Sequence, residues 1–433
     1  MKTAWIHASL LDGTENMTLR PDTTVVVEDG KIVEIAQGAP APRGARVYDL
    51  AGKYLLPGLI NAHVHLPGNG KPRKKKMDAA KTARLVMSTA LTRKILVKMC
   101  QDAARMQLMS GVTTLRTVGG VGRADTIVRD RIASGRAVGP RVLASNNAVT
   151  VAGGHMAGSV AYAARSAEDA VAKVREVAAQ GTDLIKLMIT GGVLDAEKPG
   201  EPGLLRMPAE YVKACCDEAH RLGMKVAAHV ESAAGAKVAA ANGVDTLEHG
   251  APLDQEDVAN MLARRAGVVA TFSPVVPFLY VDDALTNGDA LSRLNSQVVA
   301  DGMVQSAKLA MELGMPLGLG TDTGCPLVTH YDMWRELAYA RKFLGISAAK
   351  ALYLGTLSTA RLLGLGEITG SLEVGKAADM IVSAANPLED FRALSRLEMV
   401  VSMGKVYEHP TVKKYPVVEE ALDKAMDMLG CAR

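Results

Sequence analysis

Two histidines end an otherwise apolar segment, Leu56-Pro57-Gly58-Leu59-Ile60-Asn61-Ala62-His63-Val64-His65, in a chain of 433 residues. The apolar run predicts a buried β-strand, in which side chains two residues apart lie on the same face. His63 and His65 could therefore bind one metal ion together. A His-x-His pair alone is a weak signal, because hydrogen-bonded histidines are common in protein cores. The metal interpretation depends on further ligands from other strands.

The composition is that of a globular protein. Hydrophobic residues make up 48% of the chain and charged residues 22%, which excludes a disordered or fibrous chain. The net charge of +4 is too small to indicate a nucleic-acid partner. The five cysteines are scattered without a C-x-x-C pair, which predicts neither a disulfide framework nor a thiolate zinc site. We expect a small-molecule substrate and no nucleic-acid partner.

The expected location is the cytoplasm. The N-terminal residues lack the apolar region and cleavage site of a signal peptide. No apolar run approaches the roughly 18 residues needed to span a bilayer, so we expect no membrane contact. Near the other end, Val418, Leu422, Ala425 and Leu429 recur at helical spacing. They predict a tail helix over 411–433 that packs on its own chain or on another subunit, and we expect a homo-oligomer.

The two ends of the chain have β character. Residues 24–28 and 31–35 flank Asp29-Gly30, a two-residue turn typical of hairpins. Strand patterns return at 370–382 and 399–406. Neither group is large enough to be stable alone, so we expect them to combine. The prediction is a small discontinuous β-sandwich domain made of residues 1–54 and 368–410.

Between these ends, short apolar runs alternate with longer amphipathic segments, a pattern typical of βα units around a parallel sheet. Helices are predicted over 167–180, 208–222 and 254–266, each followed by glycine, and two more over 334–344 and 347–363. The α/β class and eight candidate strands predict a (β/α)8 TIM-type barrel over residues 55–367. The candidate strands are 59–63, 112–116, 141–144, 183–188, 225–230, 245–248, 268–272 and 316–320.

Polar side chains stand at or near the ends of four later strands of this barrel. They are Lys186, His229, His249 and Asp322. Each has an ordinary explanation, such as a hydrogen-bonded core histidine or a capping aspartate. A lone buried ammonium at Lys186 would be costly, however. Catalytic groups of such barrels come from strand C-terminal ends, so the whole set together with His63 and His65 indicates an active site.

These residues resemble the amidohydrolase superfamily in its binuclear-metal form. The resemblance covers nearly the whole chain, from the segment ending at His65 to a late Gly375-Lys376-Ala377-Ala378-Asp379 turn. It implies two divalent ions, for which we expect zinc because imidazole and carboxylate ligands suit it. It also implies a carboxylated Lys186 that bridges both ions. The implied ligands are His63, His65 and Asp322 for one ion, and His229 and His249 for the other.

The resemblance implies a hydrolytic reaction. A metal-bridging hydroxide would attack a carbonyl group, and Asp322 would act as general acid and base. The stretch from Lys186 to Val193 and the Gly153-Gly154-His155 turn resemble the prolidase-like and arginine carboxypeptidase-like branch. This branch cleaves dipeptides or N-acyl amino acids. His155 would then assist catalysis beside the substrate carbonyl, although a loop histidine bonded to backbone is the alternative.

Four residues are candidates for substrate binding. Arg116 ends the second strand, where it could bind a carboxylate or form an internal salt bridge. Glu231 lies two residues after His229, which differs from the H-x-x-E spacing of deaminases in the superfamily. Tyr280 and His330 follow the seventh and eighth strands. The segment 194–203 is a candidate lid, in which Asp195, Glu197 and Glu201 could contact a basic side chain.

Other functions stay open at this point. Hydrolysis of a cyclic amide or deamination of a heterocycle, as in an imidazolonepropionase-like enzyme, would use most of the same ligands. A barrel without catalytic activity is a third possibility, since fold does not determine function. The basic run at 71–76 is expected to be a solvated loop, or else to overhang the mouth of the site.

Overall fold

The computed structural model describes residues 2–72 and 78–431, in which six strands come first and strands then alternate with helices. The prediction for the basic run at 71–76 therefore falls largely outside the described residues. The strands are β1 Thr3–Leu11, β2 Leu19–Glu28, β3 Lys31–Gln37, β4 Arg46–Asp49, β5 Tyr54–Pro57, β6 Leu59–Val64, β7 Val112–Thr117, β8 Arg141–Leu143, β9 Ala148–Val151, β10 Ala161–Ala164, β11 Leu184–Met188, β12 Lys225–Val230, β13 Thr246–His249, β14 Gly267–Ala270, β15 Leu317–Leu319, β16 Met380–Ser383, β17 Leu397–Ser402 and β18 Lys405–Glu408.

The helices lie mainly between the parallel strands. They are α1 Ala79–Met87, α2 Ala90–Met109, α3 Ala124–Ala133, α4 Ala167–Ala178, α5 Ala209–Arg221, α6 Ala233–Ala241, α7 Gln255–Ala263, α8 Val275–Tyr280, α9 Asp283–Thr286, α10 Ala290–Glu312, α11 Met333–Leu344, α12 Ala348–Tyr353, α13 Thr359–Leu362 and α14 Pro416–Leu429. Within the described ranges, none of these helices is long and apolar enough to cross a membrane.

One sheet joins the two ends of the chain. Its strand order is β18-β17-β16-β5-β1-β2-β3, with β4 paired to β1. Strand β16 pairs antiparallel with β5, with Ile381 opposite Leu56. At the β2–β3 turn, Asp29 and Gly30 have positive φ angles of 50° and 76°, as a two-residue hairpin requires. The early and late segments that the sequence predicted to combine therefore pair directly.

A parallel sheet of seven strands positions the site. Its order is β10-β9-β11-β12-β13-β14-β15, and a second, three-stranded sheet has the order β6-β7-β8. The register places Met188 beside His229 and Val230 beside His249. Polar residues near the ends of three neighbouring strands therefore lie at one edge. This mixed α/β fold confirms the predicted class, and all eight candidate strands correspond to strands of these two sheets.

The two parallel sheets approach each other where β6 meets the segment that follows β15. The backbone N–H of Asp322 donates to the carbonyl of His63 at 2.9 Å. Val64 forms a parallel bridge with Thr323. A Cβ atom at Gly320 would lie 2.4 Å from the Cβ of His63, so glycine is needed for this close approach. The histidine pair and Asp322 are thereby brought together.

The structure differs from the sequence prediction in several elements. The strand predicted over 370–382 is limited to β16, because Gly370 and Gly375 adopt left-handed conformations. The helix predicted over 347–363 is interrupted by a π-helical turn, Leu354–Ser358, where the Thr359 hydroxyl donates to the Leu354 carbonyl. Strands β9 and β10 were not predicted. Within the predicted tail segment 411–433, helix α14 spans Pro416–Leu429 and buries the four residues whose spacing predicted a helix, Val418, Leu422, Ala425 and Leu429.

Candidate metal centre

All six predicted metal ligands line one cavity of about 470 Å³. Five of them lie near or just beyond the carboxyl ends of strands that are distant in sequence, as expected for a site at the carboxyl edge of a parallel sheet, and Lys186 lies in the middle of β11. The six are His63, His65, Lys186, His229, His249 and Asp322. His155 lines the same cavity. These polar residues, which are widely separated in the sequence, therefore meet at one location in the fold.

Two groups of side chains in this cavity are close enough to hold an ion. Single ligand atoms of His63, His249 and Asp322 lie within 4.8 Å of one another, and so do those of His229, Glu231 and His249. His65 Nε2 lies 3.2 Å from Asp322 Oδ1. The grouping differs in detail from the one implied by the resemblance, because His249 belongs to both groups and Glu231 joins the second.

Hydrogen bonds orient three of the imidazole rings. His63 Nδ1 donates to Glu248 Oε2 at 2.8 Å, and His65 Nδ1 donates to the Gly119 carbonyl at 2.7 Å. His249 Nδ1 lies 2.7 Å from the Thr271 hydroxyl. Such contacts fix the ring and leave Nε2 as the metal-binding atom.

The fourth imidazole is held differently. His229 Nε2 lies 3.0 Å from the Gly191 carbonyl. The ring of His155 stacks on the ring of His229, with centroids 4.3 Å apart and an interplanar angle of 6°. His155 Nδ1 also bonds the Asp195 carboxylate. His229 is therefore fixed by a loop carbonyl and by a second histidine that itself faces the cavity.

Two of the six residues have a strained backbone. The φ angles of His249 and Asp322 are 69° and 54°, in the left-handed region that residues other than glycine seldom adopt. Such conformations persist only where the surrounding structure enforces them, and they are concentrated at functional sites. For Asp322, the backbone bond to the His63 carbonyl is one such restraint.

Lys186 is the least satisfied polar group of the site. Its side chain is 1% exposed, and its Nζ has no hydrogen-bond partner among the described residues. Burial lowers the pKa of Lys186 to about 8, with Arg116 acting in the same direction against the neighbouring carboxylates. An unpartnered nitrogen among four imidazoles and a carboxylate fits a site built to hold divalent metal. The residues present therefore suit the metal centre that the sequence implied.

The pKa values of the buried acidic groups are shifted in opposite directions. Burial alone would raise the pKa of Asp322, but His63, His65 and His249 hold it well below its usual value. Burial also opposes ionisation of Glu248, yet Arg116 and His63 lower its pKa. By contrast, burial and the nearby Asp322 raise the pKa of Glu231 to about 8. Asp322 is thus ionised in the folded protein, whereas burial favours the protonated form of Glu231.

Arg116 is engaged by the protein interior. Its guanidinium donates to the Ala62 carbonyl at 2.8 Å, to the Thr246 hydroxyl at 3.0 Å and to Glu248 Oε1 at 2.6 Å. It does not line the cavity. The structure therefore favours the internal salt bridge over a substrate contact for this residue.

The other substrate-contact candidates also lie outside the cavity lining. His330 Nε2 donates to the Gly68 carbonyl at 2.6 Å, and its Nδ1 lies 3.3 Å from Gln107. Tyr280 ends α8 and lines a separate surface hollow. Glu231 accepts a hydrogen bond from the Val193 backbone at 3.0 Å, which holds the segment after β11. His330 and Glu231 therefore contact loops that border the metal cavity.

Sequence reasoning missed three residues that support the ligands. Glu248 connects His63 to Arg116, as described above. Asn61 accepts from the Thr321 backbone at 3.0 Å and donates to its hydroxyl at 2.7 Å, which fixes β6 beside the Asp322 segment. The Cys325 thiol lies 3.3 Å from Asp322 Oδ2. A polar side chain within an apolar strand was the available signal for Asn61 and Glu248.

Comparisons with known proteins agree with this geometry. Residues 54–407 match the amidohydrolase family. The chain is 35% identical to a solved candidate prolidase from Bifidobacterium longum, with 98% of each chain covered and a TM-score of 0.85. It is 28% identical to a solved Xaa-Pro dipeptidase with bound methionine, covering 94% of this chain and 100% of the other, with a TM-score of 0.81. Ochratoxinase of Aspergillus niger is 28% identical over 95% of this chain and 88% of its own.

Proposed function

Because the chain belongs to the amidohydrolase family, we propose that it is a metal-dependent hydrolase that cleaves the amide bond of dipeptides or N-acyl amino acids. The observation that carries this proposal is the cavity that holds all six ligands together with an unpartnered Lys186 Nζ. The similarity to a solved Xaa-Pro dipeptidase supports a peptide-like substrate. The interpretation as a barrel without catalytic activity is not retained.

The proposal includes the finer architecture that the sequence predicted. Residues 55–367 would form a closed (β/α)8 barrel, supported by the backbone bonds between β6 and the segment after β15. Residues 1–54 and 368–410 would form the small β-sandwich domain, and 411–433 the tail. A cytoplasmic location and a homo-oligomeric state stay predictions.

The proposed centre would hold two zinc ions. His63, His65 and Asp322 would bind one ion, His229 and His249 the other, and a carboxylated Lys186 both. Carboxylation joins the neutral amine to carbon dioxide and releases one proton, so the lowered pKa of Lys186 favours it. The carbamate would give the buried side chain two oxygen ligands and remove its positive charge. Glu231 is placed to support the second group.

Each protein group in the mechanism has a defined role. Divalent ions at this centre would lower the pKa of a water molecule and polarise the scissile carbonyl. Asp322, ionised in the folded protein, accepts the proton from the attacking water and returns it to the leaving nitrogen. His155 lies beside His229, where it can donate a hydrogen bond to the substrate carbonyl. Glu248 keeps the His63 ring in place.

The variant Asp322→Asn tests the proton-transfer role. It keeps an oxygen ligand but removes the proton acceptor, so we expect turnover to fall by about 10²–10⁴-fold while much of the bound metal is retained. Hydrolysis is measured on a panel of dipeptides and N-acyl amino acids, with metal content measured in parallel. Asp102→Asn on an exposed helix surface is the matched control. Near-normal turnover of Asp322→Asn would show the assigned role to be wrong.

A second candidate function is hydrolysis of a cyclic amide or deamination of a heterocycle. The observation that favours it is the approach of Glu231 to His229 and His249, which places an acid beside the metal ligands. Including cyclic amides and imidazolones in the same panel separates the two candidates. If the protein hydrolysed these compounds and did not hydrolyse linear amides, the second candidate function would replace the main proposal.

A further inference from the structure

The metal cavity extends outward into an apolar chamber. Its outer wall is formed by side chains of two helices, among them Val86 of α1 and Ile95, Leu96 and Met99 of α2. On another side the wall includes Val160, from the segment that precedes β10. Because the same cavity contains the six ligands at its base, a molecule bound to the metal centre has the chamber directly next to it.

The charged side chains among the described residues that line this cavity are Lys186 and Asp322, both of them candidate metal ligands. Lys186 is the only lysine, and no arginine is present, among the described residues that line it. The outer wall therefore offers no fixed cation from the described ranges to a charged substituent. Burying a charged group against such a wall would be costly, whereas burying an apolar group would be favourable.

Large apolar side chains are left exposed where the chamber opens. Ile95 is 51% exposed, Met99 47% and Leu194 56%, and all three line the cavity. Leu194 comes from the candidate lid and lines the same cavity as the α2 side chains. Contiguous exposed apolar side chains around a cleft are typical of a ligand-binding surface. A volume of 470 Å³ is within the range of pockets that hold a ligand larger than a dipeptide of small residues.

We propose that the chamber binds a bulky apolar group, an aryl or medium-length alkyl group, on one side of the scissile amide. The inference rests on the proposed amidase function and narrows its substrate class to hydrophobic N-acyl amino acids or dipeptides. The metal centre binds the amide, and the helices α1 and α2 bind the apolar group. Selectivity then increases with the apolar area that the substrate buries.

Two substrate series test this proposal. In one, the acyl group of an N-acyl amino acid increases from acetyl to decanoyl and naphthoyl. In the other, the amino acid changes from glycine to leucine and phenylalanine. We expect kcat/KM to rise in at least one series by up to about fourfold for each buried methylene group. Flat kcat/KM values in both series would overturn the proposal while leaving the amidase function intact.

Variants of α2 test whether the preference for large apolar substrates depends on this helix. Met99→Glu and Ile95→Glu change partly exposed residues and should fold normally. Each is expected to lower the ratio of kcat/KM for the larger substrate to that for the smaller one by about tenfold. Leu91→Glu is the matched control, since Leu91 is on the same helix, is 68% exposed and is not part of the cavity lining. An equal ratio in all three variants would contradict the proposal.

A binding measurement separates this inference from the proposed function. The neutral fluorescent probe N-phenyl-1-naphthylamine requires no catalysis, so it can be titrated into the wild-type protein and the same variants. We expect saturable binding that Met99→Glu weakens and Leu91→Glu does not. Such binding without any amide hydrolysis would support the chamber and contradict the amidase assignment. Failure of the probe to bind the wild-type protein would contradict the chamber.

Discussion

At the scale of single residues, the metal centre depends on partners that the chain brings from far away in sequence. Glu248 is fully buried and accepts hydrogen bonds from His63, Arg116 and the Thr246 hydroxyl. Burying a carboxylate is costly unless charged groups and hydrogen bonds compensate for the lost solvation. Here the compensation also fixes the orientation of His63, a candidate metal ligand, so Glu248 links the stability of the site to its proposed chemistry.

We predict that Glu248→Gln lowers metal affinity by about 10–100-fold, the usual effect of losing a carboxylate that orients a ligating histidine. The glutamine keeps the shape of the side chain but cannot match the charge of Arg116. A competition titration with a chelator measures the effect. Glu398→Gln, which alters a surface ion pair with Lys53, is the control. Unchanged metal affinity of Glu248→Gln would show that Glu248 does not orient His63 for metal binding.

The convergence of the six candidate ligands on one cavity could be predicted from the sequence, because each ends, or lies within or just beyond, an apolar run that a parallel sheet buries. Their hydrogen-bond partners could not, since Glu248 contacts His63 across 185 positions of sequence. For the same reason, the sequence does not decide whether Arg116 binds a substrate carboxylate or an internal one. The two possible partners of Arg116 lie on different sides of the strand end. The side that its guanidinium faces depends on the neighbouring strand.

At the scale of elements, the tail helix α14 is fixed to the body by a buried arginine. Arg335 of α11 is 1% exposed and forms ion pairs with Asp332 at 3.2 Å and with Asp423 of α14 at 2.8 Å. A nearby surface pair, Arg392 with Asp427, also connects to α14, at 3.3 Å. The two pairs differ mainly in burial, which makes them a natural comparison.

We predict that Arg335→Met lowers the free energy of unfolding by about 3–5 kcal/mol, because it leaves Asp332 buried without its cation. Arg392→Met should change it by less than about 1 kcal/mol, as for other exposed pairs. Urea denaturation monitored by circular dichroism gives both values. Equal effects of the two variants would show that burial of Arg335 does not determine how α14 is held.

The sequence predicts whether a segment is a helix or a strand where its pattern of apolar residues is clear. Strand β12 follows from a short apolar run between two helical segments, and helix α14 follows from helical spacing. The π-helical turn in the segment after α12 was not predicted, because it arises from hydroxyls of Thr356 and Thr359 that bond backbone carbonyls within the helix. Strands β9 and β10 were not predicted, because three of the four residues of β10 are alanine, which is depleted in strands, and β9 adjoins the Gly153-Gly154 turn that indicates a loop.

At the scale of the whole molecule, buried neutral histidines make stability depend on pH. Burial lowers the pKa of His63 and of His330 to about 4, from 6.5 in the unfolded chain. Between these values the unfolded chain binds protons that the folded protein does not, so stability falls as the pH falls from 6.5 towards 4. His330 lies outside the cavity lining and can be altered without removing a ligand.

We predict that His330→Gln reduces this pH dependence by about one proton per chain, measured as the slope of the unfolding free energy of metal-free protein between pH 6.5 and 4. The exposed His7 is the control. Its hydrogen bond to Asp49 raises its pKa, so its contribution is lost as the pH rises above 6.5. His7→Gln should therefore leave the acidic slope unchanged. An unaltered acidic slope in His330→Gln would contradict the prediction.

The metal content of the purified protein, supplied with zinc and bicarbonate, tests the central claim most directly. The six-ligand centre predicts about two zinc ions per chain in the wild-type protein and clearly fewer in Lys186→Ala. Short carboxylic acids should partly restore metal binding and amide hydrolysis in that variant, because they can replace the carbamate. A wild-type protein that binds no divalent ion under these conditions would contradict the account.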